Sequence, residues 1–399
     1  MAKFYKNKAV ILGLYDTGLA AVRCLGRLGI DVIGYDYDSS QPGFFSRYCR
    51  AVHCPNPTEN AQAMLDLLLQ NADTPNLSIL FPCSDEFVLF VSRNRDALKK
   101  SYLFLLPEHA FLETLINKDS QSTIVQTLGI PVPNSIPAES LDQAEQSMNK
   151  IAYPVFIKPV QGHLWQKHYD NKGFVANNHI ELLGFCRQIF SQGIKVIIQA
   201  IIPGPASNNW EVSAYVDSKG RLLGEFIIRK IRQYPSDFGF ATMTVSARNP
   251  EVEELGRKLL EGLAWRGFIN MEFKYDPHDK TYKFIELNPR VWQQVNHAEK
   301  LGLNFPLMQY LDMLGKENEP VKTYREGVKW FDFKWDTIAS LKRILRKEMS
   351  LRQWINSLMG AQIQGIFSFD DMRPFLHSLG YGAAFLKIPK ALLKVFNTR

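Results

Sequence analysis

Residues 8–36 read as strand, turn, helix and strand. "AVILGL" is an apolar run of strand length, "YDTGLAAVRCLGRLG" is a turn and a helix ending at Gly29, and "IDVIGYD" is a second strand. A helix that returns the chain to the starting end forces the two strands to pair in parallel. This unit commits the amino-terminal part to an α/β architecture. Helix "NAQAMLDLLLQNA" and strand "LSILFPCSD" keep the rhythm. "LFLLP" follows, and the pattern fades near Pro107.

A second region begins there. "LINKDSQSTIVQTLGIPVP" reads as one helix ended by Gly129 and Pro131. "YPVFIKPV" and "KVIIQAIIPG" are apolar strands flanked by Pro and Gly. "EVSAYVDSKGRLLGEFIIRK" reads as a hairpin turning at Ser218-Lys219-Gly220, and "EELGRKLLEGLAW" as an amphipathic helix. "FINMEFKYDPHDKTYKFIELN" is a second hairpin turning at "DPHDK". From about residue 321 the texture is helical and basic, starting with "WFDFKWDTIASLKRILRKEMSLRQWINSL".

With 399 residues the chain is too long for one ordinary core and long enough for two or three packed units. Its composition, 46% hydrophobic and 22% charged, is that of a globular protein. The net charge of +7 comes from dispersed residues and gives a mild bias towards anionic ligands. No nucleic-acid partner is expected, because no stacking-aromatic motif or basic arm is present. Five cysteines without a CxxC argue against a disulfide framework or zinc site and for reduced thiols in a cytoplasmic protein. The first residues have too short an apolar run for a signal peptide. No stretch of ~20 uninterrupted apolar residues is present to span a bilayer.

A βαβ opening invites a dinucleotide. Here the glycines are Gly13 and Gly18, not GxGxxG, although Asp36 sits where a ribose-binding acid belongs. Without the middle glycine the backbone cannot easily approach a pyrophosphate. Gly18 is followed by Leu19-Ala20, so a Walker loop is absent as well.

The second region carries more chemistry. Lys158 lies at the end of an apolar strand between Ile157 and Pro159. A cation so fixed suits triphosphate oxygens, while a lone Lys also suits a strand edge. In "IIQAIIPG" a strand end before Pro-Gly can offer backbone groups to an adenine edge. In the second hairpin, a five-residue loop from Pro277 to Thr281 pairs Asp276 with Tyr282 and sets Glu272 opposite Glu286. Glu272, Glu286 and Asn288 then share a face. Two opposed carboxylates repel unless a cation lies between them, and hard oxygen ligands suit Mg²⁺. Arg290, set by Pro289, points a fixed cation at the same place. The alternative is a solvated hairpin face with each acid paired to a Lys.

Taken in order, the βαβ opening, "INKD", "FIKP", "QAIIPG", "MEF" and "ELNPR" resemble the ATP-grasp superfamily, and within it carboxylate–amine ligases similar to D-aspartate ligases. The resemblance covers about residues 8–315, and "ELNPR" is its strongest part. It implies an α/β ATP-grasp fold: a Rossmann-like pre-ATP-grasp domain at 1–106, an ATP-grasp domain at 107–320 with its lid at about 125–203, and a helical C-terminal extension at 321–399. It also implies ATP with Mg²⁺ (or Mn²⁺). Lys118 and Lys158 contact phosphates, Gln199, Ala200, Ile201 and Ile202 line the adenine, and Glu272, Glu286 and Asn288 hold the metal. Arg290 stabilises the acyl phosphate or its adduct. The chain departs from the family twice. Ala200 replaces a hinge acid, and "VQGHLWQKHYDNKG" replaces a glycine-rich loop, so phosphate cover is expected from His163 or Lys172.

The implied reaction is ATP-dependent, ADP-forming amide synthesis from a small-molecule carboxylate and an amine. Ser84, Asp85 and Glu86 face the cleft, where an acid can hold an incoming ammonium or cap the following helix. Arg229, Lys230 and Arg232 either orient a carboxylate or form a strand edge. The basic end with Lys387, Lys390 and Lys394 either packs on the body or rests weakly on an anionic membrane surface. A homodimer is expected from the family. Rival readings are carboxylation or ligation onto a purine precursor, a dehydrogenase on the βαβ unit, and a non-catalytic nucleotide-binding module.

Overall fold

The computed structural model describes residues 6–385 except 74, 148, 161–164, 166, 167, 170, 172 and 236–238. The chain divides into two interleaved compact units. The first holds Met1–Ile116, Trp210–Met271 and Leu287–Arg399; the second holds Asn117–Asn209 and Glu272–Glu286. No described helix is long and apolar enough to cross a membrane.

The first unit opens with β1 (Ala9–Leu12), α1 (Asp16–Gly26), β2 (Val32–Asp36), β3 (Arg50–His53), α2 (Ala61–Gln70), β4 (Ser78–Pro82), α3 (Asp85–Arg93), α4 (Arg95–Leu98), β5 (Tyr102–Leu103) and α5 (His109–Ile116). The five strands form an all-parallel sheet in the order β3-β2-β1-β4-β5. Every residue of β1, β2 and β4 is buried, as strands covered on both faces must be. Order reverses between β1 and β4, so their carboxyl ends flank a switch point, the usual ligand position in such sheets. The buried stretch Thr17–Leu25 of α1 shares a core with Val295, Ala298, Leu303 and Phe305 from far along the chain. Burying each such Leu, Val or Phe contributes about 1.5–3 kcal/mol.

The expected long helix before Gly129 is two helices. Helix α5 stops at Ile116, and α6 (Lys118–Thr127) opens the second unit. Asn117 starts the new helix: its side-chain oxygen accepts from Ser120 N–H at 3.4 Å, an N-cap bond available to Asn at a helix start. The rest of this unit is β6 (Ser135–Ala138), α7 (Leu141–Ser147), β7 (Val155–Pro159), β8 (Phe174–Ala176), α8 (His179–Phe190) and β9 (Val196–Ala200). Its four strands are antiparallel in the order β6-β9-β7-β8. Trp165 is only 1% exposed and packs at a tilt against Tyr169 and Phe174, with ring centroids 4.4 and 5.4 Å away.

Next come β10 (Asn209–Val216), β11 (Leu222–Tyr234), β12 (Phe240–Ser246), α9 (Pro250–Gly262), β13 (Gly267–Asp276) and β14 (Thr281–Asn288); Glu272–Glu286 belongs to the second unit, and Trp210–Met271 and the chain from Leu287 to the first. Then follow α10 (Val295–Lys300), α11 (Phe305–Met313), β15 (Lys329–Phe331), α12 (Phe333–Leu345), α13 (Leu351–Leu358), β16 (Ala361–Gln364) and α14 (Arg373–Phe385). The large sheet runs β14-β13-β10-β11-β12-β15-β16. The carboxyl-terminal part is helical as expected, and it also supplies two strands. "KWF" pairs with Val245 to Met243 instead of starting a helix, because Asp332 accepts the Trp335 N–H at 2.9 Å and caps α12 only after it. Buried Trp330 is held at its indole N–H by Asn296 at 2.9 Å. Residues Lys387, Lys390 and Lys394 lie outside the described residues, and nothing supports the membrane contact drawn from them.

Candidate active site

At the carboxyl end of β1 the dinucleotide reading meets local geometry. Asp36 accepts from the backbone N–H of Leu14 at 2.6 Å and of Asp38 at 2.9 Å, so it closes the loop after β1. Burial raises this carboxyl above its usual range, and the two N–H groups pull against that rise. A Cβ at Gly18 would run into the Gly13 carbonyl, so this glycine serves close helix packing. Gly43 donates its N–H to the Leu14 carbonyl at 2.8 Å, and its α-carbon packs on Leu14. The loop that would cradle a pyrophosphate is covered by the chain itself.

The end of β4 separates the roles of three neighbours. Ser84 caps α3 by accepting the Phe87 N–H at 3.4 Å. Glu86 accepts from the Tyr37 hydroxyl at 3.0 Å and from Ser84 at 3.2 Å. Burial, and then that carboxylate, push the Tyr37 phenol up to about 12. Asp85 instead accepts from Arg290 Nε at 2.6 Å. Tyr15 donates to the Cys83 carbonyl beside them; burial raises its phenol, and the Arg290 charge opposes the rise.

Arg290 leads into a chain of polar groups. Its Nη2 donates to Asn288 Oδ1 at 3.2 Å, and Asn288 Nδ2 donates to Asn270 Oδ1 at 3.2 Å. Asn270 Nδ2 donates to Glu211 Oε2 at 3.3 Å and Ser213 Oγ at 3.0 Å. Lys230 Nζ lies 3.5 Å from Glu211 Oε1, both almost wholly buried. The three cations after the first hairpin therefore part ways. Lys230 joins this chain, and Arg229 lies over the Trp210 ring at 5.8 Å. Arg232 departs from the substrate role sketched for it. It is 4% exposed, forks onto Asp336 at 2.7 and 2.8 Å, and donates to Ser357 at 2.7 Å. That is a buried structural pair.

The second unit holds the other predicted residues. Lys158 is half-buried on β7, between β9 and β8 in the sheet. Lys118 is the first residue of α6, and its side chain lies outside what is described, as do His163 and Lys172. At the hinge, Gln199 Nε2 donates to Ser135 Oγ at 2.9 Å. The N–H groups of Ala200 and Ile201 donate to the Asn134 and Pro154 carbonyls at 2.8 and 3.0 Å. The Ile202 carbonyl accepts from Lys274 Nζ at 2.6 Å. Lys274 was not foreseen; its only sequence signal was a cation two positions after Glu272. Trp165, in the stretch that stands where the family has a glycine-rich loop, is buried in the core of the second unit, where its large indole ring gains from burial.

Glu272 and Glu286 are half-buried on β13 and β14. The turn between the strands is residues 277–280, one shorter than expected, since β14 already begins at Thr281. Near it Tyr275 packs on Tyr282 and Phe273 on Phe284, with centroids 5.2 and 6.0 Å apart. Those pairs sit one step away from the expected register, whereas Asn270 with Asn288 fits it. Among the described residues no three His, Cys, Asp or Glu gather into a metal cluster. Two carboxylates and an amide oxygen are nonetheless a hard donor set that fits Mg²⁺.

No family model matches the chain. It is similar to the D-aspartate ligase of Enterococcus faecium (strain Aus0004), with 26% identity over 246 residues, 58% of this chain and 58% of that protein. It therefore spans just under three-fifths of that relative's length. Among solved structures it superposes on the N5-carboxyaminoimidazole synthetase of Staphylococcus aureus complexed with ADP. The TM-score is 0.62 over 78% of each chain, at 13% identity. This chain has the ATP-grasp fold. A second ATP-grasp neighbour, the L-amino acid ligase of Bacillus licheniformis, superposes with a TM-score of 0.55 over 77% of this chain and 74% of that one, at 17% identity. In the ATP-grasp frame, the first unit carries Asn288 and Arg290, and the second carries Lys158, the hinge, Glu272 and Glu286.

Proposed function

We propose that this chain is an ATP-dependent, ADP-forming ligase that joins a small-molecule carboxylate to an amine through an acyl phosphate. The observation that carries the reading is the guanidinium of Arg290, steered at one side by Asp85 and at the other by Asn288. A preoriented cation just past a strand end is what developing negative charge at an acyl centre needs. The similarity to D-aspartate and L-amino acid ligases supports an amino-acid-like substrate on at least one side.

In this reading the substrate carboxylate attacks the γ-phosphorus, the bond to the β-phosphate breaks, and ADP leaves. The amine then attacks the carbonyl, expels phosphate and sheds a proton. Lys118 and Lys158 hold phosphate oxygens, and Gln199, Ala200, Ile201 and Ile202 line the adenine. Glu272, Glu286 and Asn288 would hold Mg²⁺, or Mn²⁺ in its place, which would supply neutralisation of triphosphate charge. Arg290 steadies the acyl phosphate and its adduct. The proposed domains are 1–106, 107–320 with a lid at about 125–203, and 321–399. A cytoplasmic homodimer completes the proposal; none of the five cysteines is in a disulfide.

The test is ADP release from Mg·ATP across carboxylates crossed with amines, with Glu286→Gln as control. Release that needs both partners and vanishes in the variant supports the ligase. Release that needs bicarbonate and no other carboxylate would favour carboxylation, the chemistry suggested by the carboxyaminoimidazole synthetase likeness. Nucleotide binding without turnover on any pair would favour a binding module.

A further inference from the structure

The first unit contains a hydrogen-bonded row that runs from Glu211 through Asn270, Asn288 and Arg290 to Asp85. Its ends are chemically one-sided. An ionised carboxylate accepts and never donates, and a guanidinium donates and never accepts. Glu211 faces Asn270 at 3.3 Å, so the NH₂ end of that amide must point to it and the oxygen must point away. That oxygen meets Asn288 at 3.2 Å, which obliges Asn288 to present its own NH₂ there and its oxygen at the far side. Arg290, 3.2 Å from that oxygen, imposes the same orientation from the opposite direction. Asp85 then holds Arg290 through Nε at 2.6 Å. The two amide dipoles lie head to tail between fixed charges, an arrangement in which each bond strengthens the next.

We propose that Glu211 and Asn270 are positioning residues that fix which end of the Asn288 amide is presented as a ligand. This deepens the nucleotide reading above and rests on it. The Asn288 oxygen has two lone pairs; Arg290 takes one, and the other remains for a cation. A reversed amide would present NH₂, which repels both a metal ion and Arg290. The amide is symmetrical in shape, so packing alone does not choose its orientation; Arg290 on one side and the carboxylate behind Asn270 on the other choose it together. Lys230, 3.5 Å from Glu211, makes the conservative change informative. In Glu211→Gln the new amide oxygen turns to Lys230, and its NH₂ turns to the NH₂ of Asn270. Asn270 then reverses, and Asn288, still held by Arg290 at its oxygen, loses the acceptor that anchored its NH₂.

The experiment is calorimetric titration of the full-length protein with ADP, with and without Mg²⁺, for wild type, Glu211→Gln and Asn270→Leu, alongside thermal melts. The expected result is unchanged Mg²⁺-free ADP affinity and a Mg²⁺-dependent gain reduced about 10–100-fold in both variants, the usual effect of removing a group that orients a metal ligand. Glu211→Gln keeps size and hydrogen-bonding capacity, so it separates orientation from folding if Asn270→Leu fails to fold. A wild-type-sized Mg²⁺ gain in Glu211→Gln would overturn the proposal and leave the nucleotide reading intact. Parallel loss of melting temperature and of both affinities would reduce the row to a structural role and overturn it as well. Wild-type protein that binds no ADP would overturn the nucleotide reading, and this proposal with it.

Discussion

Arg23 and Asp371 are 348 positions apart in sequence and form an ion pair of 2.9 Å with side chains only 2% and 1% exposed. The same guanidinium donates to the carbonyls of Ile366 and Asp371 at 2.6 and 2.8 Å. Asp371 also accepts from Ser46 Oγ at 2.7 Å and from Arg47 N–H at 2.9 Å. The carboxyl-terminal part is thereby tied to the first helix of the chain.

Breaking that pair from one side leaves a buried charge without its partner. Burial lowers the Arg23 pKa, and Asp371 works against that drop, so removing the acid removes the compensation. Asp371→Ala should cost about 3–5 kcal/mol of stability, read by chemical denaturation at fixed pH. A change below about 1 kcal/mol would show that the ends of the first unit are not coupled in this way.

Asp85 touches Arg290 and, in the proposed mechanism, acts through it. Asp85→Ala should lower kcat about 10–100-fold with a smaller change in KM, because a guanidinium loose by about 1 Å loses its alignment with developing charge. Asp85→Glu should recover part of the loss. ADP release with the identified substrate pair reads both numbers. A rise in KM at constant kcat would instead assign Asp85 to the incoming ammonium.

Two buried groups give stability opposite slopes with pH. His297 is wholly buried, and burial pushes its imidazole down from 6.5 to about 3, with its ring nitrogen Nε2 on the Val328 carbonyl at 3.1 Å. The native state resists the proton that the unfolded chain takes up below 6.5. Stability is therefore present above 6.5 and is lost as pH falls towards 3, by about 2 kcal/mol at pH 5. Asp332 behaves in the other sense. Burial, followed by the nearby Asp16 charge, raises it from 3.8 to about 7, so stability is full below 3.8 and is lost as pH rises through 7. Lys334 and Asp336 also face it, the first opposing the rise and the second adding to it. Its Oδ2 has no hydrogen-bond partner. Asp332→Asn keeps the helix cap and should raise Tm at pH 8 by at least about 1 °C while changing nothing at pH 3. Melting curves at the two pH values decide it.

The sequence by itself determined the βαβ opening and the order of the apolar strands, and it singled out Lys158, Glu272, Glu286, Asn288 and Arg290 as candidates. These are local properties: strand period, helix period and turn residues act over a few positions and need no distant partner. Tertiary structure decided what each side chain pairs with. Asp85 was open between ligand and cap until Arg290, 205 positions away, was seen to bind it. Arg232 was open between substrate cation and strand edge until Asp336, 104 positions on, was found to bind it. Glu211 and Asn270 carried no sequence signal, because each reads as an ordinary polar residue on a strand. Their meaning comes from facing one another in a buried sheet, where an acceptor must find a donor and the chain of amides has one orientation. The strand "KWF" was misread for the same reason. Three residues are too short for a period, and only the neighbouring strand edge makes them a strand.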